Sequence, residues 1–182
     1  MVDVNSIFRH DQKVSGNMIG VEIEFEGTRF PSVENMPAAW GVDHDGSLRH
    51  GQEFVTRVPS NLSKVFRDLR ALDKAFRKSR TTIRETVRAG VHVHLNVGDL
   101  TMTQVYNIIT LYIIMEDALV KWCGDDRVGN LFCLRASDAD DLLSTLTQAA
   151  SVENLMPLGN ENVRYASINT NSLRKYGTLE FR

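Results

Sequence analysis

The sequence predicts a single α+β domain over residues 1–182, and three observations support this fold class. Residues 19–26 alternate apolar and acidic side chains, which is the period of a half-buried strand. Residues 62–76 repeat apolar side chains with helical spacing. Along the chain we find no repeat, low-complexity tract or linker. A chain of 182 residues is long enough for one domain with a core and too short for two large ones.

The first predicted strand, residues 20–27, has one apolar face and one acidic face. Side chains two residues apart in a strand share a face and lie about 6.6–7 Å from one another. Glu22, Glu24 and Glu26 therefore share a face that includes no basic residue. Like charges this close repel, so the face needs either free solvent or a counter-cation. Two interpretations are open at this point: a solvated outer face and a site for a divalent cation.

The next part of the chain predicts a second strand and a basic helix. We interpret residues 28–50 as irregular, because they hold two prolines and the turn-like Asp45-Gly46-Ser47. Residues 53–58 predict a strand, and residues 60–79 predict a helix with a basic outer stripe. Residues 57–88 hold ten Lys or Arg and three Asp or Glu, in a chain of formal charge −2. The stripe is either a solvated face or a dock for an acidic peptide, nucleic acid or phosphorylated substrate.

The second half of the chain predicts two more helices and several strands. A capping box of Thr101 and Gln104 begins a long buried helix that reaches about Trp122. Ser137, followed by aspartates, begins a third helix. The other predicted features are one or two strands in residues 83–97 (91–97 the clearest), the end of the third helix near Ala150, a loop with Pro157 and Gly159, and strands at 164–169 and 177–182.

No segment of the sequence is typical of a signal peptide or a membrane span. The first 13 residues are polar, and the most apolar stretch, 105–120, is interrupted by polar residues and shorter than the roughly 20 residues a span needs. Cys123 and Cys133 show no metal-ligand spacing, and free thiols in a reducing compartment explain them better than a disulfide. We therefore expect a soluble cytoplasmic protein without membrane partners.

The polar faces of the predicted strands collect candidate metal ligands. His92 and His94 share a face of one strand, and Glu180 and Arg182 share a face of the last strand. Carboxylate oxygens with an imidazole suit Mg²⁺ or Mn²⁺, and the lack of thiolates argues against a structural zinc site. If the strands share one sheet with helices on its apolar side, the other side collects Glu22, Glu24, Glu26, Glu53, His92, His94, Glu180 and Arg182.

Four short motifs follow one another along the chain. They are Gly20-Val21-Glu22-Ile23-Glu24, Asp45-Gly46-Ser47 with Gly51-Gln52-Glu53, Gly90-Val91-His92-Val93-His94, and Thr178-Leu179-Glu180-Phe181-Arg182. In this order they resemble the amidoligase family, a group of carboxylate–amine ligases related to glutamine synthetase and glutamate–cysteine ligase, with members in bacterial and phage genomes. The resemblance implies a curved antiparallel sheet with helices outside and a funnel-shaped active site inside, a glutamine synthetase-like catalytic domain.

The same resemblance implies roles for individual residues. It implies that Arg182 contacts the transferring phosphoryl group, that Glu24 is catalytic as well as a metal ligand, and that His94 either places the nucleotide or contacts the metal ligands without binding the metal. The ligands that it implies for two or more Mg²⁺ ions are Glu22, Glu24, Glu53, His92 and Glu180. The further candidates for nucleotide or substrate contacts are Asp45, Ser47, Asn169 and Arg174.

The activity that the resemblance implies is ATP- and Mg²⁺-dependent ligation of a small-molecule or peptide carboxylate to an amine through an acyl phosphate, with release of ADP. The sequence departs from the pattern at its end, since relatives usually continue past the last motif. We expect either a C-terminally short form or a pocket completed by another segment or subunit, as in a homo-oligomer. A phage-encoded member would act in the host cytoplasm.

Two other functions stay open on the sequence alone. A metal-dependent hydrolase could be built on His92 and His94, although barrel-type hydrolases need further distant ligands and typically ~250 residues. A catalytically inactive binding or structural module could keep the same fold. The sequence does not identify the acid and the amine, and it does not exclude nucleic acid at the basic helix.

Overall fold

The computed structural model describes residues 2–10, 14–124, 129–130, 133–148, 158 and 166–182. The chain divides into two compact units. The first unit is Met18–His94, and the second unit combines Met1–Asn17 with Leu95–Arg182. The predicted loop with Pro157 and Gly159, the predicted helix end at Ala150 and the start of the predicted strand at 164–169 lie outside the described residues.

The described elements mix helices and strands, which confirms the α+β class. The helices are α1 (Val4–Phe8), α2 (Leu62–Ser79), α3 (Met102–Cys123), α4 (Asp140–Gln148) and α5 (Asn171–Tyr176), with 3₁₀ turns at Val33–Asn35 and Ala136–Asp138. The strands are β1 (Ile19–Thr28), β2 (Trp40–Asp43), β3 (Gly51–Thr56), β4 (Thr82–Arg84), β5 (Gly90–Asn96), β6 (Ile168–Asn169) and β7 (Thr178–Phe181).

The sheet of the first unit runs in the order β2-β3-β1-β5, and β4 pairs with the end of β1. The β2–β3 and β1–β3 pairs are antiparallel. The register places Glu53 of β3 opposite Glu24 of β1 and opposite Asp43 of β2. Directly opposed residues have Cβ atoms about 4.5–5.5 Å apart. The pairing thus aligns three carboxylates in one row across three strands.

The apolar side of this sheet forms the core of the first unit. Val21 and Ile23 of β1 pack there with Trp40 and Phe54, which have no exposed surface. Helix α2 covers this side with Val65, Leu72 and Phe76, and its first turn is capped by the side chain of Asn61. Because side chains alternate along a strand, Glu22 and Glu24 must lie on the opposite side from this core.

The second unit is built around the long helix α3. Its capping box of Thr101 and Gln104 forms as predicted, with the Thr101 hydroxyl accepting from the Gln104 N–H. Val105 and Ile109 of α3 are fully buried in a core that includes Leu173 and Leu179. In the same unit β6 and β7 pair antiparallel, which sets Asn169 opposite Glu180. This pairing places β6 beside β7, the strand that holds the last predicted motif.

Several predicted boundaries need correction. The interpretation of residues 28–50 as irregular was wrong at β2, a four-residue strand in which Gly41 removes the side chain that would have completed the alternation. The second strand starts at Gly51 and ends at Thr56. Helix α2 begins after Asn61, because Ser60 still pairs with Ile19.

The acid-rich third helix is two elements, a 3₁₀ turn followed by α4, so Ser137 does not cap an α-helix. The short helices α1 and α5 were not predicted, since five or six residues are too few to show helical periodicity. Among the described residues, no helix combines the length and the apolar character needed to cross a membrane.

Candidate metal centre

The polar side of the first unit's sheet carries a cluster of acids and imidazoles from neighbouring strands. Glu22 and Glu24 come from β1, Glu53 from β3, and His92 and His94 from β5. Strands are stiff elements, and their pairing fixes the spacing of these side chains before any ligand arrives. The sequence analysis selected all five residues, and the first unit brings them together.

Burial decides between the two interpretations of the acidic strand. Glu24 is 6% exposed and Glu26 is 7% exposed, so the interpretation as a solvated outer face is wrong for both. His92 and His94 are also buried. Water does not screen charges at such positions, and each carboxylate needs donors, a counter-charge or a proton.

The imidazoles lie close to the carboxylates of β1. His94 Nε2 is 3.1 Å from Glu22 Oε1, and His92 Nδ1 is 3.4 Å from Glu22 Oε2. The other ring nitrogen of His92, Nε2, is 3.5 Å from Glu24 Oε2. His92 therefore lies between two carboxylates, one at each ring nitrogen.

This arrangement of His92 has a chemical consequence. A neutral imidazole carries one N–H and one lone pair, so it can donate to only one of the two carboxylates. Its lone pair then faces oxygen lone pairs of the other. Either a second proton makes the ring an imidazolium, or a cation lies between the nitrogen and the carboxylate oxygens.

The electrostatics of the acids differ sharply within the cluster. Burial tends to raise the pKa of Glu22, but hydrogen bonds to His92 and His94 and their positive charge outweigh it, and the pKa lies far below its ordinary value. Burial, followed by the charges of Glu22, Asp45 and Asp43, raises the pKa of Glu53 to about 7. Near neutral pH Glu53 is thus about half protonated, because the neighbouring carboxylates give its surroundings an excess of negative charge.

The donor set and its spacing fit a hard divalent cation. Mg²⁺ binds oxygen donors at 2.0–2.1 Å in an octahedron, which puts neighbouring ligand atoms about 3 Å apart. The contacts of Glu22 and Glu24 with the two histidines span 3.1–3.5 Å, near that spacing and long for strong hydrogen bonds. Glutamate oxygens with imidazole nitrogens suit Mg²⁺ and Mn²⁺.

Glu26 provides an internal contrast on the same strand. Its Oε1 accepts a hydrogen bond of 2.6 Å from the backbone N–H of Arg49. Glu26 also lies opposite Arg84 of β4 in the strand register. A backbone donor and a basic neighbour account for the burial of this carboxylate, and it needs no metal.

The predicted substrate residues Asp45 and Ser47 lie in the turn before β3. Asp45 Oδ1 accepts from the Ser47 N–H at 2.5 Å, and Arg88 donates to the Ser47 carbonyl at 2.8 Å. The turn is thus held by side chains at both of its ends. Asp45 also adds negative charge near Glu53.

The second unit groups three other predicted residues. Asn169 Nδ2 donates to Glu180 Oε2 at 2.8 Å, and Arg182 Nη2 is 2.7 Å from Glu180 Oε1. Glu180 is 5% exposed, so this carboxylate is buried with a cation and an amide donor. The side chain of Arg174 is exposed on α5, and its backbone carbonyl accepts from His10 Nε2 at 3.0 Å.

Comparison with known protein families finds one match. Residues 59–182 match the model of a family described as "Putative amidoligase enzyme". That span covers more than half of the chain. The chain belongs to this amidoligase family. No curated protein and no solved structure matches the chain.

The amidoligase match covers only some of the predicted site residues. The matched residues include His92, His94, Asn169, Glu180 and Arg182, whereas β1 and β3 precede residue 59. The grouping of Glu22, Glu24 and Glu53 is therefore supported by the strand register and the contacts of the first unit, and not by the family match. The family identifies a ligase-type protein, and the roles of single residues stay predictions.

Sequence reasoning missed two acids. Asp43 extends the carboxylate row through Glu53, and the apolar Trp40 and Val42 two apart just before it were the available signal for β2. Glu116 is a fully buried acid within α3. Its sequence signal was its spacing of seven residues from Ile109 and four from Val120, which places it on the buried face of the helix.

Proposed function

We propose that the chain is an ATP- and Mg²⁺-dependent carboxylate–amine ligase. The observation that carries the proposal is the contact of Glu22 with the buried His92 and His94, beside Glu24 and Glu53. The amidoligase family supports a ligase-type reaction. Together they favour phosphoryl transfer to a carboxylate over a purely structural role.

Glu22, Glu24, Glu53 and His92 would hold the divalent ions. The sequence-based prediction adds Glu180 to this ligand set. A bound Mg²⁺ would offset the negative charge of the phosphate groups during transfer. The protein's own contribution is a rigid strand framework that holds these carboxylates at fixed spacing, with Glu24 and His92 buried.

Arg182 is proposed to contact the γ-phosphoryl group in the transition state. A guanidinium is always charged and presents several N–H donors in one plane, which suits phosphate oxygens. Its present partner, the Glu180 carboxylate at 2.7 Å, holds it in one orientation. His94, Asp45, Ser47, Asn169 and Arg174 are proposed contacts for the nucleotide or the substrates.

The proposed reaction has two steps. A carboxylate oxygen of the acid attacks the γ-phosphorus of ATP, the bond to the bridging oxygen breaks, and ADP leaves. The amine nitrogen then attacks the acyl carbon, the carbon–oxygen bond to phosphate breaks, and the nitrogen loses a proton to solvent. The products are an amide, ADP and inorganic phosphate.

A hydroxylamine assay tests this function. The chain is incubated with ATP, Mg²⁺, hydroxylamine and a panel of amino acids, dicarboxylates and short peptides. We expect a hydroxamate together with equal amounts of ADP and phosphate, because hydroxylamine intercepts an acyl phosphate. Glu26→Gln is the matched control, since Glu26 is on the same strand but is bonded to the Arg49 amide.

The assay also separates the rival functions. AMP and pyrophosphate as products would contradict the acyl phosphate mechanism. Turnover without nucleotide would favour the hydrolase built on His92 and His94. Metal binding without turnover of any acid in the panel would favour an inactive binding module.

A further inference from the structure

Glu116 is the most deeply buried acid among the described residues, at 2% exposure, and the proposed reaction does not use it. A buried carboxylate is costly unless donors satisfy it. Its Oε1 accepts from the Ala136 N–H at 2.7 Å and from the Ser167 hydroxyl. Glu116 therefore ties α3 to the 3₁₀ turn Ala136–Asp138 and to the segment just before β6.

Ser167 connects these hydrogen bonds of Glu116 to the backbone of Arg182. The Ser167 carbonyl accepts from the Arg182 N–H at 2.9 Å, and the Cys133 thiol donates to the Arg182 carbonyl at 3.3 Å. Ser167 is itself held by its N–H, which donates to the Leu134 carbonyl at 2.6 Å. Both backbone polar groups of Arg182 are thus bonded to segments that adjoin Glu116.

The same segment also orients the carboxylate that pairs with Arg182. Asn169 follows Ser167 by two residues and donates to Glu180 Oε2, while Glu180 Oε1 faces the guanidinium. Arg182 is therefore held at two points. Its backbone N–H is bonded to Ser167, and the carboxylate that pairs with its guanidinium is bonded to Asn169.

We propose that Glu116 is a positioning residue for the Arg182 guanidinium and acts through Ser167. The inference rests on the proposed function, in which Arg182 contacts the transferring phosphoryl group. Loss of the Ser167 hydroxyl frees the segment to shift while the core around α3 keeps its packing. A misplacement of about 1 Å can cost about 100-fold in rate, and the loss falls on kcat when the contact forms in the transition state.

The first test compares kinetic constants for hydroxamate formation. Ser167→Ala and Glu116→Ala are each expected to lower kcat about tenfold while the KM for ATP stays within about twofold. Thr110→Val is the matched control on α3, because the Thr110 hydroxyl makes no hydrogen bond among the described residues. Ile109→Val trims the same core and controls for lost stability. A kcat loss as large in Ile109→Val as in Ser167→Ala would overturn the inference.

A double-mutant cycle gives the specific readout. If Ser167 acts through Arg182, Ser167→Ala should cost kcat little once Arg182→Lys is present, because the guanidinium that it positions is gone. A purely structural role predicts that the two losses multiply. Multiplicative losses would overturn the inference.

A third readout does not depend on turnover, so it distinguishes failure of this inference from failure of the proposed function. The Nε–Hε resonance of Arg182 is assigned by its loss in Arg182→Lys. We expect Ser167→Ala and Glu116→Ala to shift this resonance and the two control variants to leave it in place. An unmoved resonance in Ser167→Ala would overturn the positioning role, even in a protein that forms no hydroxamate.

Discussion

Glu116 in the second unit and Glu53 in the first unit are both acids on regular elements, but their neighbours differ. Glu116 faces hydrogen-bond donors from Ala136 and Ser167. Glu53 lies opposite Glu24 and Asp43, and its pKa rises to about 7. The comparison teaches which acid serves the fold: donors complete the site of Glu116, whereas the surroundings of Glu53 favour the uptake of a proton or a cation.

The largest expected effect is the loss of activity in Glu22→Gln. We expect hydroxamate formation to fall by about 10²–10³-fold, equivalent to roughly 3–4 kcal/mol, because a fixed transition-state contact is lost. The fold should persist, since glutamine has the same shape and still bonds to the histidines. The measurement is kcat with thermal denaturation in parallel. Glu26→Gln with full activity is the control, and an active Glu22→Gln would remove Glu22 from the machinery.

The second expectation concerns the stability of the fold, and it is tested at Glu116 of the second unit. Glu116→Ala should lower the free energy of unfolding by about 3 kcal/mol, because the Ala136 N–H and the Ser167 hydroxyl lose their acceptor in a dry interior. Urea unfolding measures it. Asp117→Ala is a neighbouring control, since its Arg135 ion pair is largely exposed and worth little. Equal losses in both variants would contradict the distinction between the two acids.

The contrast between the two acids also explains what the sequence could predict. Alternation in residues 19–26 indicated the acidic face correctly, because a strand forces side chains two apart to one side. The same rule predicted that His92 and His94 share one face of their strand. The row of Asp43, Glu53 and Glu24 required strand register, which depends on pairing partners distant in sequence.

Hydrogen-bond partners could not be predicted from the sequence for the same reason. The donors to Glu116 lie 20 and 51 residues further along the chain, and no local pattern encodes such a pairing. The difference between Glu26 and Glu24 is similar: both are buried acids of one strand, and Glu26 is distinguished by its hydrogen bond from the Arg49 backbone N–H and by Arg84 opposite it. Residue type predicted which groups could bind a metal, and packing decides which of them are already satisfied.

The third expectation is that divalent metal stabilises the first unit's cluster. At a concentration 100 times its Kd, a ligand that binds only the folded state adds about 2.7 kcal/mol. We therefore expect millimolar Mn²⁺ or Mg²⁺ to raise the unfolding midpoint by several degrees relative to EDTA. Glu22→Gln and Glu24→Gln should lose this shift, whereas Glu26→Gln keeps it. An equal midpoint with metal and with EDTA would contradict the metal centre.

The smallest expected effect is the pH dependence of metal binding, and Glu53 sets its sign. Its pKa in the folded, metal-free chain is about 7, above its ordinary value of 4.5. Without metal, the stability that Glu53 contributes is present below pH 4.5 and is lost as the pH rises through 7. A cation must displace the proton, so apparent affinity should rise with pH up to about 7, about tenfold per unit for one proton, or 1.4 kcal/mol. Glu22 adds no slope there, because its pKa is far lower.

Titration calorimetry with Mn²⁺ at pH 5.5, 6.5 and 7.5 measures the slope of affinity against pH. Glu53→Gln should reduce this slope, and a wild-type affinity independent of pH would show that Glu53 is not a ligand.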